Sequence, residues 1–304
     1  MKPVNRRRPR LRGEGVTAAL FAAPALAGLL LFVAVPFGLA LGLSLTNLRM
    51  GSPLQTRFVG WQQYARVLAD PTFQRAMLNN ALFAAVVVPV QTTLALLLAL
   101  AVNQRLRGMV VFRALFFMPV VFPMALVAVV WELIYAPGPN GPLNALLGLV
   151  TFGGVAPQDF LHDRLLALPA IMLMSIWQGV GFQMVVLLAG LQSIPNELYE
   201  AAATERAGRW SQFRHVTLPQ LRNPLVFTAL VTTVLAFRVF DQVQIMTRGG
   251  PLDATTTIMF EAVQAVFERQ QVAQAAAMTV VFFFLVLMVT LVQRAAVRQE
   301  REVA

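Results

Sequence analysis

The sequence predicts an all-α membrane protein with six transmembrane helices, and three observations predict it. Hydrophobic residues make up 58% of the 304 and charged residues only 12%, more apolar surface than a soluble domain of this size can hide. Uncharged stretches recur along the chain, each long enough to cross a bilayer, since a helix needs about 20 residues to span the hydrocarbon core. The positive charge behind the net +10 is scattered in short segments between those stretches instead of forming a basic domain. Its expected counterpart is anionic lipid at the bilayer surface, with no role for nucleic acid. The chain has no cysteine, which excludes disulfides, thiolate metal sites and Cys nucleophiles.

The first uncharged run, Val16 to Leu48, follows a basic segment with Lys2, Arg6, Arg7, Arg8, Arg10 and Arg12. Small residues at Ala22-Ala23-Pro24-Ala25 resemble a signal cleavage site, but the run far exceeds the 7 to 15 residues of a signal h-region. It reads as a retained helix, bent at Pro24 or Pro36, with Gly38 and Gly42 spaced for close helix packing. The second run lies between Arg75 and Arg105, the third from Ala114 to Tyr135 with Glu132 near its end, and the fourth between Arg164 and Glu197. The fifth, Asn223 to Met246, carries Arg238 and Asp241; the sixth lies between Arg269 and Arg294. Arginines crowd the segments before the first, third and fifth runs and after the sixth, so the positive-inside bias places both termini in the cytoplasm. The expected organisation is a basic tail at 1–14, a membrane domain at 15–296 with an inner loop at 195–219, and a cytoplasmic tail at 297–304. Outer loops fall near Trp61, at Ala136 to Arg164 with its Pro137-Gly138-Pro139-Asn140-Gly141-Pro142 turn cluster, and near Gly249-Gly250-Pro251. Trp131 and Tyr135 read as membrane-interface anchors.

The inner loop carries strong local signals. Pro195 suits a first helical turn, and Glu197 and Glu200 place negative charge near the positive end of the helix dipole. A helix from Pro195 to Ala207 is expected, with Ala201, Ala202 and Ala203 allowing close approach by another surface and Leu198 and Tyr199 giving apolar anchorage. Gly208 can take the left-handed conformation that ends a helix. A second short helix would carry Trp210 and Phe213 before Pro219. On these residues alone, a helix hairpin lying on lipid fits equally well.

Glu200-Ala201-Ala202 with Val216-x-Leu218-Pro219 resembles the EAA loop of binding-protein-dependent ABC importer permeases. Asn79-Asn80, Arg113 to Pro119, Trp177-Gln178-Gly179-Val180-Gly181-Phe182, Ala189 to Tyr199 and Val239-Phe240-Asp241 with Thr247 to Pro251 extend the likeness to the carbohydrate-type permeases, across nearly the whole chain. The resemblance implies a type I ABC importer-like permease in a bacterial or archaeal cell membrane. It implies a second homologous permease, a cytoplasmic ABC ATPase dimer and an extracytoplasmic solute-binding protein as partners, and a sugar or related polyol as cargo. The ATPase-coupling residues carried over are Glu197, Glu200, Ala201, Ala202, Arg206, Gly208, Leu218 and Pro219. Arg206 stands where the family pattern has glycine, so either the turn shifts to Gly208 or the helix runs on.

The chain itself points to an external engine. A phosphate-binding P-loop needs a lysine after its glycines, and the only lysine is Lys2. No cofactor is expected on this chain, with ATP used by the partner subunits, and the chain is not expected to be an enzyme: hydrolase signatures are absent, and His162 and His215 lack metal-ligand spacing. Arg238 and Asp241, three residues apart, should share a helix face, with Gln244 continuing it. A charge at membrane depth costs about 2.5–3.5 kcal/mol on insertion scales, so such residues face a partner or a wet cavity. Asn80, Gln178, Arg238, Asp241 and Gln244 are therefore the candidate substrate path, with Gln91, Trp177 and Phe182 as further polar and stacking groups. An Arg238/Asp241 pair that only joins helices is the structural alternative. An ion-coupled secondary transporter is the alternative function, although that class favours repeats and midplane carboxylates and only Asp241 qualifies here. A membrane scaffold is a third.

Overall fold

Prolines mark two of the places where the apolar runs depart from a straight helix, at Pro36 and at Pro123. The computed structural model describes residues 14–53, 55–104 and 108–303. The basic tail through Arg12, and Arg105 and Arg107, lie outside the described residues. Among those described there is no β-strand beyond one antiparallel bridge between Thr46 and Phe58.

The first span is α1 (Glu14–Leu29) and α2 (Val35–Ser44), joined by a π-helical turn over Leu30–Ala34. Pro36 has no N–H to offer one turn back, and the ladder widens there, Val35 N–H reaching Leu30 O. Pro24 is carried inside α1. Neither Gly38 nor Gly42 has another group within 4 Å of where a Cβ would stand, so within this chain their spacing packs no helix. The short α3 (Gln62–Ala69) is tied back to the first span, Gln63 Nε2 donating to Thr46 O at 2.9 Å and Tyr64 OH meeting Ser44 Oγ at 2.6 Å. The second span, α4 (Pro71–Val102), starts on a well-made cap: Asp70 accepts Thr72 N–H at 3.0 Å and Pro71 takes the first turn.

The third run is not one straight helix. It divides into α5 (Met109–Val121) and α6 (Met124–Ile134), bent by 100°. Pro123 disfavours helical geometry at the residue before it, and Phe122 is extended at φ −81°, ψ 139°. Tyr135 is not an interface anchor: it is 1% exposed and donates its hydroxyl to Ala170 O at 2.9 Å. The loop that follows folds into α7 (Pro142–Val150), pinned by Asn144, whose amide exchanges bonds of 2.8 and 2.9 Å with the Gln158 backbone.

The fourth span, α8 (Ala167–Gln192), is the most enclosed and organises the core. Its C-terminal half packs Val180, Met184, Leu187 and Leu191 on Ala95, Ala99 and Val102 of α4; its N-terminal half packs Ile171 and Met174 on Phe83, Val87 and Tyr135. Two glycines admit neighbours: a Cβ on Gly181 would collide with the Phe116 carbonyl of α5, and one on Gly179 with the Gln91 amide of α4. After α8 come α9 (Asn196–Thr204), α10 (Arg209–Gln212), a π-helical turn over Phe213–Thr217 and α11 (Leu218–Gln220).

The fifth span is broken into α12 (Arg222–Phe237) and α13 (Asp241–Met246). The segment beyond it holds α14 (Ile258–Phe267), an apolar helix packed on α4 and on α15 (Val272–Val303). That last helix runs through the sixth span and on across 297–303, so the described part of the expected C-terminal tail is its end. Among the described residues, five helices are long and apolar enough to cross a membrane, or six if the bent pair α5 and α6 makes one span.

Candidate functional site

Two features carry the chemistry, and α8 connects them. The first is the loop from Pro195 to Leu221. Pro195 stands just before α9, extended at φ −61°, ψ 133°, not in its first turn, and Glu197 occupies that turn. None of the residues of α9 is buried. Glu197, Glu200, Ala201, Arg206, Gly208, Leu218 and Pro219 are exposed and Ala202 half-buried. A short helix of this kind keeps its shape only if its ends are satisfied and one side is held. Tyr199 holds it, with its hydroxyl 2.9 Å from Thr217 Oγ1 and its ring, like Val216, against the apolar cluster of α4 and α8.

The helix ends where the sequence placed an arginine. Ala207 N–H returns to Ala202 O and Arg206 N–H to Ala203 O, both at 2.9 Å, the paired bonds of a left-handed helix stop. Arg206 itself takes φ +58°. Gly208 is extended at φ −67°, ψ 167° and begins α10. Both expected alternatives are thus corrected: the turn neither shifts to Gly208 nor is skipped, because the backbone bonds fix it at 206 and the side chain bears the steric cost, about 1–2 kcal/mol. Trp210 and Phe213 stack with ring centroids 5.5 Å apart on the second arm.

The second feature is a cavity of about 510 Å³ between α4, α8 and the broken fifth span. Gln91, Gln178, Gln183, Gln242, Ser175 and Thr232 give it a polar wall, Phe83, Phe182 and Phe240 an aromatic one, and Arg238 and Asp241 reach it from the break. The break overturns the shared helix face expected for Arg238 and Asp241, since α12 stops at Phe237 and α13 begins at Asp241. Both charged residues are exposed, and no ion pair joins them among the described residues. The structural alternative of a self-neutralising pair is therefore not what the chain adopts.

Two other expected path residues lie elsewhere. Asn80 is fully buried and faces backbone, donating to Phe237 O at 3.2 Å and accepting Ile258 N–H at 2.9 Å. Gln244 lines a separate polar pocket with Thr72, Arg248, Asp253 and Glu268, beside the 2.7 Å Arg269–Glu261 ion pair. That pocket, about 710 Å³, is the larger in volume and shares no lining residue with the central cavity. Gln178, Arg238 and Asp241 are the expected residues that the fold brings together, with Gln91 and Phe182 beside them; Trp177 lies outside, edge-on to Trp131 at 5.5 Å.

Gln183 was not anticipated, although Ser175, Gln178 and Phe182 recur at helical spacing and mark the same stripe. It is 1% exposed. Thr232 Oγ1 gives its proton to Thr228 O at 2.8 Å, so it can only accept from Gln183 Nε2. This fixes the amide's orientation and leaves Gln183 Oε1 without a hydrogen-bond partner among the described residues. An unpaired buried acceptor costs about 1–3 kcal/mol.

Comparison with known proteins adds a family. The family described as "Binding-protein-dependent transport system inner membrane component" matches residues 91–302. The chain is 35% identical over 289 residues to the diacetylchitobiose uptake system permease protein NgcF of Streptomyces coelicolor, covering 90% of this chain and 80% of the relative. It is 36% identical over 235 residues to the trehalose/maltose transport system permease protein MalF of Thermococcus litoralis, covering 77% and 78%. In structure it resembles a chain of a bacterial alginate ABC transporter solved with an alginate pentasaccharide-bound periplasmic protein, at a TM-score of 0.79, 19% identity and 95% coverage of each chain. That likeness is one of fold.

Proposed function

Because the chain belongs to the family of binding-protein-dependent transport system inner membrane components, we propose that it forms the translocation path of an ATP-driven importer for a sugar or related polyol and couples that path to a separate ATPase through α9. It is a multi-pass membrane subunit, a transport component and not the hydrolase. The single observation that carries the coupling role is the exposed α9, none of whose residues is fully buried yet which is bolted through Tyr199 to a cluster on α4 and α8, the two helices that also frame the cavity. A force on this helix reaches the cavity wall through packed side chains, which are too dense to absorb it. Glu200, Ala201 and Ala202 are the contact with the ATPase, and Leu218 and Pro219 close the loop back into the fifth span.

The path runs along Gln91, Gln178, Gln183, Arg238 and Asp241. Amides both donate and accept, which suits hydroxyl-rich solutes, and Phe182 and Phe240 offer faces for the apolar side of a pyranose ring. The relatives named for diacetylchitobiose and for trehalose and maltose support that class. Six crossings with both termini cytoplasmic, counting α5 and α6 as one broken span, put α9 on the side where a cytoplasmic ATPase dimer binds. A second homologous permease supplies the opposite wall, and a solute-binding protein docks on the outer loops. The membrane is that of a bacterial or archaeal cell.

The test is uptake into proteoliposomes holding the assembled importer, with lactose, maltose, trehalose and diacetylchitobiose as labelled probes and the cognate binding protein outside. ATP-dependent uptake of at least one, with ATPase activity rising when that binding protein is loaded, is the expected result. Uptake that persists without ATP and collapses with an uncoupler would overturn it in favour of ion coupling.

A further inference from the structure

One buried amide joins the end of α12, at the helix break that faces the cavity, to the start of α14. Asn80 on α4 is 0% exposed. Its Nδ2 donates to Phe237 O at 3.2 Å and to Ala236 O at 3.5 Å, while Oδ1 accepts Ile258 N–H at 2.9 Å. Helix ends leave carbonyls and N–H groups unmet, and inside a membrane protein these must find partners within the protein. The same side chain therefore caps the end of α12 and the start of α14. Thr257 Oγ1 adds a bond to Val239 O at 2.9 Å in the middle of the break. Immediately beyond these bonds, Arg238, Phe240 and Asp241 turn toward the cavity.

We infer that Asn80 is a positioning residue for solute passage: it fixes the break at Phe237 to Phe240 and so sets where Arg238 and Asp241 stand at the cavity, without itself touching solute. The inference rests on reading the cavity as the solute path. Its neighbour Asn79 provides the internal control, because Asn79 Nδ2 donates only to the outer loop, to Asp253 O at 3.0 Å and Thr256 O at 2.9 Å, and ties nothing at the break.

The absence of cysteine allows a single reporter. In the assembled importer in proteoliposomes, F240C is labelled with a charged methanethiosulfonate. The expected labelling rate rises about tenfold in N80A, the scale of a buried acceptor left unpaired. N80D keeps the acceptor for Ile258 N–H but turns an oxygen on the two carbonyls, so it moves the rate in the same direction; N79A stays within about twofold. In the Phe240 background, the number of sugar molecules moved per ATP falls about tenfold in N80D with ATP hydrolysis retained, whereas general loss of fold lowers both together. Labelling needs no solute, so its failure is distinguishable from a failure of the transport reading. Equal rates in the parent and N80D, an N79A effect as large as that of N80A, or loss of assembly in both Asn80 variants would each overturn the inference.

Discussion

The loop around α9 and the break between α12 and α13 both interrupt helical structure, but they are held in opposite ways. The loop is closed by its own residues: Ala207 and Arg206 bond back to Ala202 and Ala203, and Tyr199 meets Thr217 eighteen positions on. The break is held from a distance, by Asn80 from 156 and 157 positions earlier in the chain and by Thr257 from the outer loop. A locally closed element can present a flat, mobile face to a partner while keeping its shape. A remotely closed one keeps its geometry only while α4, α12 and α14 stay in register, so it reports the arrangement of the whole bundle.

Four substitutions test that difference. Deleting residues 198–208, or E200K, is expected to abolish binding-protein-dependent uptake while leaving the cavity side assembled; intact uptake would remove α9 from the coupling role. G181V should damage both regions together, because α8 serves both and the new side chain would collide with the Phe116 carbonyl. A loss of about 1–3 kcal/mol in stability is expected, measured as a lower Tm in detergent, and an unchanged Tm would mean α5 and α8 are not packed as described. T257V removes the bond to Val239 O for about 1 kcal/mol and should lower sugar moved per ATP without touching the ATPase contact. R206G is the mildest: glycine takes φ +58° freely, so stability should hold or rise by about 0.5–1 kcal/mol with coupled ATPase activity kept. A large loss of coupling in R206G would mean that the guanidinium itself makes a contact that α9 needs.

The same contrast explains what could be read from the sequence. The loop was largely legible because helix starts, acidic first turns and small-residue faces are local signals; what escaped was the stop, where hydrogen bonds to Ala202 and Ala203 overrode the preference for glycine and placed Arg206 in the left-handed region. The runs of apolar residues gave the spans, yet the 100° bend at Phe122-Pro123 turned one expected helix into two. At the cavity, helical spacing carried straight through Phe237 to Asp241 predicts a shared face for Arg238 and Asp241 that the break removes, whereas the cost of charge at membrane depth points both residues to the cavity they line. Asn80 was placed among the path residues because it is polar at membrane depth, and its actual role depends on backbone groups that no neighbouring residue predicts. Gln244 followed the same periodicity into a different pocket.

The most direct test of the coupling account places a single cysteine at Ala201 in the otherwise cysteine-free chain and exposes the assembled importer to a short bifunctional crosslinker. The account predicts a crosslink to the co-purifying ATPase subunit, with a rate that changes when ATP hydrolysis is trapped by vanadate, and no modification of A201C from outside intact cells. Labelling of A201C from outside, or crosslinks that never include the ATPase, would contradict it.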